Sequence, residues 1–318
     1  MKPLLVVDGD SLAHRAYHAL PKTIKRAGNR PSGAIVGFTN FITRLWDEEQ
    51  PRSVVVGWDT LEVPTYRHEA FSGYQGGRVF DAALLEQLPM LPELVRALGF
   101  TAGKAPGYEA DDFLAAAVAA AKKKRWPALV VTSDRDSFQL AARTVTILTP
   151  TRGVSELARI GPDEVRERYD VEPKQVPDFI ALRGDPSDKL PGAPGVGPKG
   201  AAQILREYGS LEAALKAGRF GAIAEDLRLY RRIAALDASA PLSPLEDQSP
   251  LWAEASLLLS SWGMGSSFPA ASPAIIGDAK RRRYAEAPCH GPARQRQNHC
   301  GFRQGVPPFH SGGTWAER

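Results

Sequence analysis

The stretch Pro3-Leu4-Leu5-Val6-Val7-Asp8 decides how this chain is read. An unbroken aliphatic run of this length is the pattern of a strand buried on both faces, as in parallel sheets. A carboxylate ends it, and a helical pattern carrying Arg15 follows over residues 11–20. The same grammar recurs along the chain. Residues 52–58 read as a second buried strand ending in Asp59, residues 128–133 as a third ending in Asp134, and residues 144–149 as a fourth. Between them, Ile35, Phe38, Ile42, Leu45 and Trp46 recur at helical spacing. Residues 82–98 are helical in pattern, with Pro89 and Pro92 expected to bend or break the helix, and the alanine-rich residues 109–124 form another. Alternating strands and helices predict an α/β fold with a mainly parallel sheet. Active sites of such sheets gather outside the carboxyl ends of the strands, where Asp8, Asp59 and Asp134 fall. From about residue 161 the pattern changes to short helices, over residues 162–169, 176–182, 199–208, 211–217 and 224–236, which predict a helical subdomain.

Nine carboxylates stand at expected strand ends and helix starts: Asp8, Asp59, Glu109, Asp111, Asp112, Asp134, Asp136, Asp185 and Asp188. Each has a local explanation. Glu109, Asp111 and Asp112 suit a helix N-terminus, Asp134 suits an N-cap, and Asp185 and Asp188 suit a turn around Pro186. Their joint occurrence at successive strand ends is harder to explain locally. Like charges gathered in one site raise one another's pKa, and hard divalent cations relieve that repulsion. All-oxygen ligation favours Mg²⁺ or Mn²⁺ over zinc. The chain therefore reads as a metal-dependent enzyme acting on phosphates.

A second constellation is Gly192-Ala193-Pro194-Gly195-Val196-Gly197-Pro198-Lys199-Gly200, leading into a helix. Two readings stand side by side. One is a plain glycine-rich turn between helices. The other is a hairpin whose backbone N–H groups and positive helix end grip a nucleic-acid backbone without reading sequence. Arg67 and Arg78, in the polar stretch after the second strand, are candidates to clamp a scissile phosphate or steer a single strand. Tyr17, Tyr66 and Tyr74 suit either base stacking or the core.

Composition sets the bounds. Hydrophobic residues make up 43% and charged residues 24% of the 318, the balance of an ordinary globular protein. The apolar run at residues 113–121 is too short to span a bilayer, and the N-terminus lacks a signal-peptide pattern. A cytoplasmic protein is the expectation. Residues 269–318 carry 8 Lys and Arg against 3 Asp and Glu, so the basic pI near 9.0 comes from the tail rather than the body. Periodicity ends at about residue 268, and the remainder is expected to be disordered or frame-altered. Its Cys289-His290 and His299-Cys300 pairs match no zinc spacing.

The motifs VVDGDSLAHRAYHAL, FSGYQGGR, PGYEADD, TSDRDSFQL, ALRGDPSDKLPGAPGVGPKGA and LREYGSLEAAL follow in that order. Together they resemble the bacterial 5′-nuclease family, which comprises the 5′–3′ exonuclease domain of DNA polymerase I and its stand-alone relatives, akin to flap endonucleases. The resemblance covers about residues 3–268. It implies a PIN-like sheet flanked by helices over residues 1–160, a helical DNA-binding subdomain with a helix–three-turn–helix element over residues 161–268, and the separate tail 269–318. It assigns Asp8, Asp59, Glu109, Asp111 and Asp112 to a first metal group and Asp134, Asp136, Asp185 and Asp188 to a second, with two Mg²⁺ or Mn²⁺ ions. Arg15, Arg67 and Arg78 match basic positions near the scissile phosphate. Gly192, Gly195, Val196, Gly197, Lys199 and Gly200 match the hairpin that binds downstream duplex, where the family also admits K⁺. The chain departs from the family pattern at Gln75, where Lys is usual, and at His14, Lys189 and Gly200.

The resemblance implies a structure-sensitive 5′-nuclease that cuts phosphodiesters at 5′ ends or flaps of DNA, with RNA primers and RNA–DNA hybrids as further substrates. It implies a monomer in the bacterial cytoplasm, associated with the nucleoid and working beside a separate DNA polymerase. The alternative is a catalytically impaired junction binder of the same fold, suggested by Gln75. A PIN-type nuclease of single-stranded RNA is disfavoured by the glycine hairpin.

Overall fold

Strand β1 (Leu4–Asp8) runs through the middle of a six-stranded sheet and is buried along its whole length. The structure is a computed structural model that describes residues 1–60, 62–76, 80–152 and 156–264. The sheet order is β5 (Thr101–Gly103), β4 (Ser53–Gly57), β1, β6 (Ala128–Val131), β7 (Val145–Arg152), β8 (Glu156–Ile160). All neighbours are parallel except β7 and β8. The mainly parallel α/β sheet is thus confirmed. Two strands of this sheet were not foreseen. β5 has three residues, too few to show a period, and β8 is an amphipathic hairpin return on the edge.

The period of two divides β1 between two cores. Leu4 and Val6 pack with α6 (Ala110–Lys123), α8 (Val176–Arg183), α9 (Pro198–Tyr208) and α11 (Ala224–Ala234). Leu5 and Val7 pack with α1 (Gly9–Ala19), α2 (Gly33–Glu49), α5 (Leu91–Ala97) and α12 (Trp252–Ser261). Covering both faces is what lets the strands be wholly apolar. The remaining elements are the short pair β2 (Lys25–Arg26) and β3 (Arg30–Pro31) and the helices α3 (Tyr66–Ala70), α4 (Ala82–Leu85), α7 (Pro162–Tyr169) and α10 (Leu211–Lys216). The helix expected over residues 82–98 is broken, as the prolines require. α4 gives way to a 3-10 turn at Leu88–Met90 before α5, whose second residue is Pro92.

Register fixes where the acids go. Leu4 lies opposite Ser53 and Ala128, so the three strands leave the sheet at nearly one level. Asp8 closes β1 and caps α1, accepting from Ser11 N at 2.9 Å. Asp59 follows β4 by two residues and Asp134 follows β6 by three. Described residues fall within one compact unit, Met1–Ala270, and the expected tail lies outside them. Among the described residues no helix is long and apolar enough to cross a membrane.

Candidate active site

A cleft of about 700 Å³ opens at this edge of the sheet. Asp8, Asp59, Glu109, Asp111, Asp134, Asp136, Asp185 and Asp188 all line it. They come from five separate parts of the chain. The strand ends supply Asp8, Asp59 and Asp134. The start of α6 supplies Glu109 and Asp111, the stretch after β6 that carries Asp134 also supplies Asp136 at the head of a 3-10 turn (Asp136–Leu140), and the loop after α8 supplies Asp185 and Asp188.

Each carboxylate is aimed by its neighbours. Asp8 accepts from Thr132 Oγ1 at 2.8 Å as well as from Ser11 N. Asp59 Oδ1 accepts from Ala110 N at 2.8 Å, which seats the first turn of α6 against the end of β4. Glu109 is the N-cap of α6 and accepts from Thr65 Oγ1 at 2.7 Å and Tyr74 Oη at 2.9 Å. Asp134 Oδ1 accepts from Asp136 N at 2.9 Å. Asp185 accepts from Ser187 N at 2.8 Å and Arg183 Nη2 at 3.1 Å, and Asp188 Oδ1 accepts from Gln75 Nε2 at 3.1 Å.

Burial and mutual repulsion make ionisation costly here. Burial pushes the Asp8 carboxyl up to about 7, with Asp59 and Asp134 adding to the rise. Asp111 and Asp136 are also held well above the ordinary carboxylate range, first by burial. Arg67 partly offsets this at Asp111, whereas Asp134, Asp188 and Asp185 reinforce it at Asp136. Asp111 Oδ1 is buried without a hydrogen bond, with Arg67 Nη2 3.5 Å away.

Two of the expected site residues have other surroundings. Asp112 does not line the cleft. It is fully buried and takes both guanidinium nitrogens of Arg67, at 2.8 and 2.9 Å, plus Glu109 N and Asp237 N. Of the acids expected in the first metal group, Asp112 is the one outside the cleft lining, and both its oxygens accept from internal donors. Arg67 reaches the cleft wall but is 1% exposed, with Nε on Ile233 O at 2.9 Å and Nη1 3.2 Å from Glu109. It braces carboxylates from behind. Arg15 lies beside the cleft, donating to Ser133 Oγ at 3.2 Å. Arg78 lies outside the described residues. Tyr17 and Tyr74 are 3% exposed, so they belong to the core rather than to a stacking surface.

Sequence reasoning missed Asp10. It lines the cleft and Oδ2 accepts from Asp59 N at 2.7 Å, tying the ends of β1 and β4 together. The signal was present in Asp8-Gly9-Asp10, where a second acid follows the strand end in the first turn of α1.

The glycine-rich turn leaves the same loop. Asp185 and Leu190 form a two-bond bridge, at 2.9 and 2.8 Å, that closes the carboxylate loop onto the turn. Gly192 has φ +73°, and a Cβ there would stand 2.3 Å from Gly184 N. Gly195 has φ +74°, with open space around its Cα. Gly197 caps α9, and Gly195, Gly197 and Lys199 are exposed, with Val196 and Gly200 half-buried.

An acid-lined cleft thus lies at the carboxyl edge of a parallel sheet and is joined by one loop to an exposed glycine turn. Comparison with known proteins says to which family this arrangement belongs. The profile for the 5′-3′ exonuclease N-terminal resolvase-like domain matches residues 3–170, and that for the 5′-3′ exonuclease C-terminal SAM fold matches residues 171–256. The chain belongs to the 5′-3′ exonuclease family. It is 44% identical to DNA polymerase I of Mycobacterium leprae over 214 residues, 66% of this chain and 23% of that one. It is 36% identical to DNA polymerase I of Bacillus caldotenax over 254 residues, 79% of this chain and 28% of that one. The chain thus spans about a quarter of the length of these polymerases. Its fold is similar to T5 5′-exonuclease with bound zinc (TM-score 0.61, 21% identity, 74% of this chain and 90% of that one). It is also similar to the T5 D15 flap endonuclease variant complexed with DNA and metal ions (TM-score 0.62, 19% identity, 83% and 96%).

Proposed function

We propose that this nuclease hydrolyses phosphodiesters at 5′ ends and flaps of DNA, at the junction of a single strand with a duplex, in a divalent-metal-dependent reaction. The observation that carries the reading is the convergence of nine carboxylates, Asp10 included, from five chain segments on one cleft. T5 relatives of the same fold are described with metal ions and with DNA.

The donor set fits hard cations. It is all oxygen, it includes a buried carboxylate oxygen on Asp111 with no hydrogen bond, and its acids are costly to ionise alone. Among the described residues no group of three or more acidic, histidine or cysteine side chains is already drawn together tightly enough to hold an ion. A wide-set cleft of this kind suits Mg²⁺ or Mn²⁺ held partly through retained water. Asp8, Asp59, Glu109 and Asp111 would hold one ion, and Asp134, Asp136, Asp185 and Asp188 a second. When bound, such a pair lowers the pKa of water and polarises the phosphate.

The protein's own residues do the rest. Asp10 and Asp59 lock the two strand ends together, and Arg67 and Tyr74 orient Glu109. Arg15 supplies positive charge at the cleft rim for the phosphate. The turn from Gly192 to Lys199 offers backbone N–H groups at the start of α9 to the duplex backbone, with K⁺ as a further ligand there. Functionally the chain divides at about residue 160 into a cutting half and a duplex-holding half. RNA-containing 5′ ends, a bacterial cytoplasmic setting at the nucleoid, a monomeric state and a polymerase partner belong to the same proposal.

The test is a 5′-labelled flap duplex, its RNA-flap counterpart and a plain single strand, each incubated with Mg²⁺, Mn²⁺ or chelator. Metal-dependent cleavage near the junction is expected. Cleavage of single-stranded RNA alone, or cleavage undiminished by chelator, would overturn the proposal.

A further inference from the structure

Two further arginines line the cleft beside the second carboxylate group, Arg135 and Arg183. Arg135 stands between Asp134 and Asp136 in sequence and is exposed. Its guanidinium makes no hydrogen bond or ion pair with any described residue. Arg183 is the last residue of α8. Its Nη2 donates to Asp185 Oδ2 at 3.1 Å, while its Nε is buried without a partner. A row of rings connects the two. The Arg183 guanidinium lies over Phe179, with Cζ 5.4 Å from the ring centroid. Phe179 leads to Tyr169 at 5.3 Å between centroids, and Tyr169 to Phe138 at 5.9 Å. Phe138 N in turn donates to the Arg135 carbonyl at 3.0 Å. Burial raises the pKa of the Tyr169 hydroxyl, and positive charge from both guanidiniums pulls it back, so both cations lie near one hydroxyl. Arg183 also adjoins the glycine turn. A Cβ on Gly192 would stand 2.6 Å from the Arg183 carbonyl carbon. The end of α8 therefore has the cleft on one side and the turn on the other.

We propose that Arg135 and Arg183 hold the phosphodiester backbone of the substrate strand as it passes from the carboxylate cleft toward the glycine turn, on the duplex side of the scissile bond. This inference rests on the flap-cleaving reading given above. Two features set the pair apart from arginines that only brace acids. Arg135 is spent on no acid. Arg183 keeps an unpaired donor although an acid lies beside it, and a buried N–H without an acceptor is a cost that a phosphate oxygen would relieve. The guanidinium suits the task because its planar fork matches phosphate oxygens and stays charged at any working pH. A strand led past nine carboxylates needs such charge close by, because its own phosphates are repelled by the acids.

The experiment is fluorescence anisotropy and steady-state cleavage of a labelled flap duplex by the full chain. The proteins are the parent, Arg135→Gln, Arg183→Gln and Arg183→Lys, with thermal melting of each as a fold control. The same duplex is also made with a single uncharged methylphosphonate at successive linkages on the duplex side of the cut. Each Gln variant should raise KM about tenfold, the worth of one charge-assisted contact. Each should also flatten the slope of log affinity against log salt by about 0.9. At one linkage the methylphosphonate should weaken the parent about tenfold and the matching Gln variant little further, since that contact is already gone. Arg183→Lys should keep part of the affinity, because the charge stays while the fork is lost. The Mn²⁺ concentration for half-maximal cleavage should stay close to the parent's. Arginines that only brace acids would instead shift the Mn²⁺ requirement or the melting temperature, with salt slope and methylphosphonate pattern as in the parent. That result in either Gln variant would overturn this inference and leave the flap-cleaving reading standing. A parent that neither binds nor cleaves the flap duplex would overturn that reading and this inference with it.

Discussion

Arg67 donates two parallel hydrogen bonds to Asp112, at 2.9 and 2.8 Å, and neither side chain is more than 1% exposed. The same guanidinium lies 3.2 Å from Glu109 and 3.5 Å from Asp111. One buried cation thus serves three acids at the start of α6. Breaking such a pair leaves a charge buried without compensation, which costs about 3–5 kcal/mol. Arg67→Ala should lower the melting temperature sharply, and Arg67→Lys should recover little, because an ammonium cannot make the bidentate contact. Differential scanning calorimetry checks both. A melting temperature unchanged in Arg67→Ala would mean that the pair does not brace the site.

Asp8 separates stability from activity. Its carboxyl is pushed up to about 7 by burial and by Asp59 and Asp134. At pH 8 without metal, its ionisation therefore works against the fold, by at most about 4 kcal/mol. Asp8→Asn should keep the melting temperature of the metal-free protein at pH 8 or raise it. The side-chain contacts to Ser11 and Thr132 that Asn reproduces only in part will trim the gain. The same substitution should abolish flap cleavage. Cleavage at the parent rate would remove Asp8 from the site.

The pH dependence follows from the same shift. Folded Asp8 binds its proton more tightly than the unfolded chain does. Stability from this group is therefore full below about pH 4 and is lost as pH rises toward 7. Asp111 and Asp136 move in the same direction. The metal-free protein should lose melting temperature between pH 5 and pH 8 from these groups. Added Mn²⁺ should restore it far more at pH 8 than at pH 5, since only the ionised acids bind. Melting curves over a pH series, with and without Mn²⁺, read this directly. An equal metal effect at both pH values would contradict it.

The glycine turn offers a paired test. Alanine at Gly192 meets Gly184 N at 2.3 Å and must also adopt φ +73°. Displaced backbone and left-handed strain together should cost about 2–4 kcal/mol. Alanine at Gly195 has room, so its cost should be about 1 kcal/mol, from φ alone. Gly195→Ala should fold yet bind flap duplex more weakly, because the new methyl sits where backbone would approach backbone. Fluorescence anisotropy with labelled duplex, beside melting curves, separates the two effects. Equal duplex affinity in Gly195→Ala and parent would exclude the turn from the interface.

The strand ends and the prolines were legible because they are local. An aliphatic run followed by Asp needs no partner to be recognised, and Pro89 and Pro92 break a helix wherever it packs. β5 escaped notice because three residues carry no period, and β8 because an edge strand half open to solvent lacks the aliphatic signature. Asp10 was overlooked beside Asp8, although both sit in the same turn. Spacing along the start of α6 does not say which of Glu109, Asp111 and Asp112 faces the cleft, so the inward turn of Asp112 to Arg67 could not be read from it.

By itself the sequence determined the parallel sheet, the edge at which its acids emerge and the glycine turn that follows them, since hydrophobic period and backbone permissiveness act over a few residues. Only the tertiary structure decided which acids share the cleft and that Asp112 turns inward to Arg67. Those outcomes depend on contacts between segments far apart in the chain, where burial and charge pairing, rather than local propensity, choose each side chain's direction.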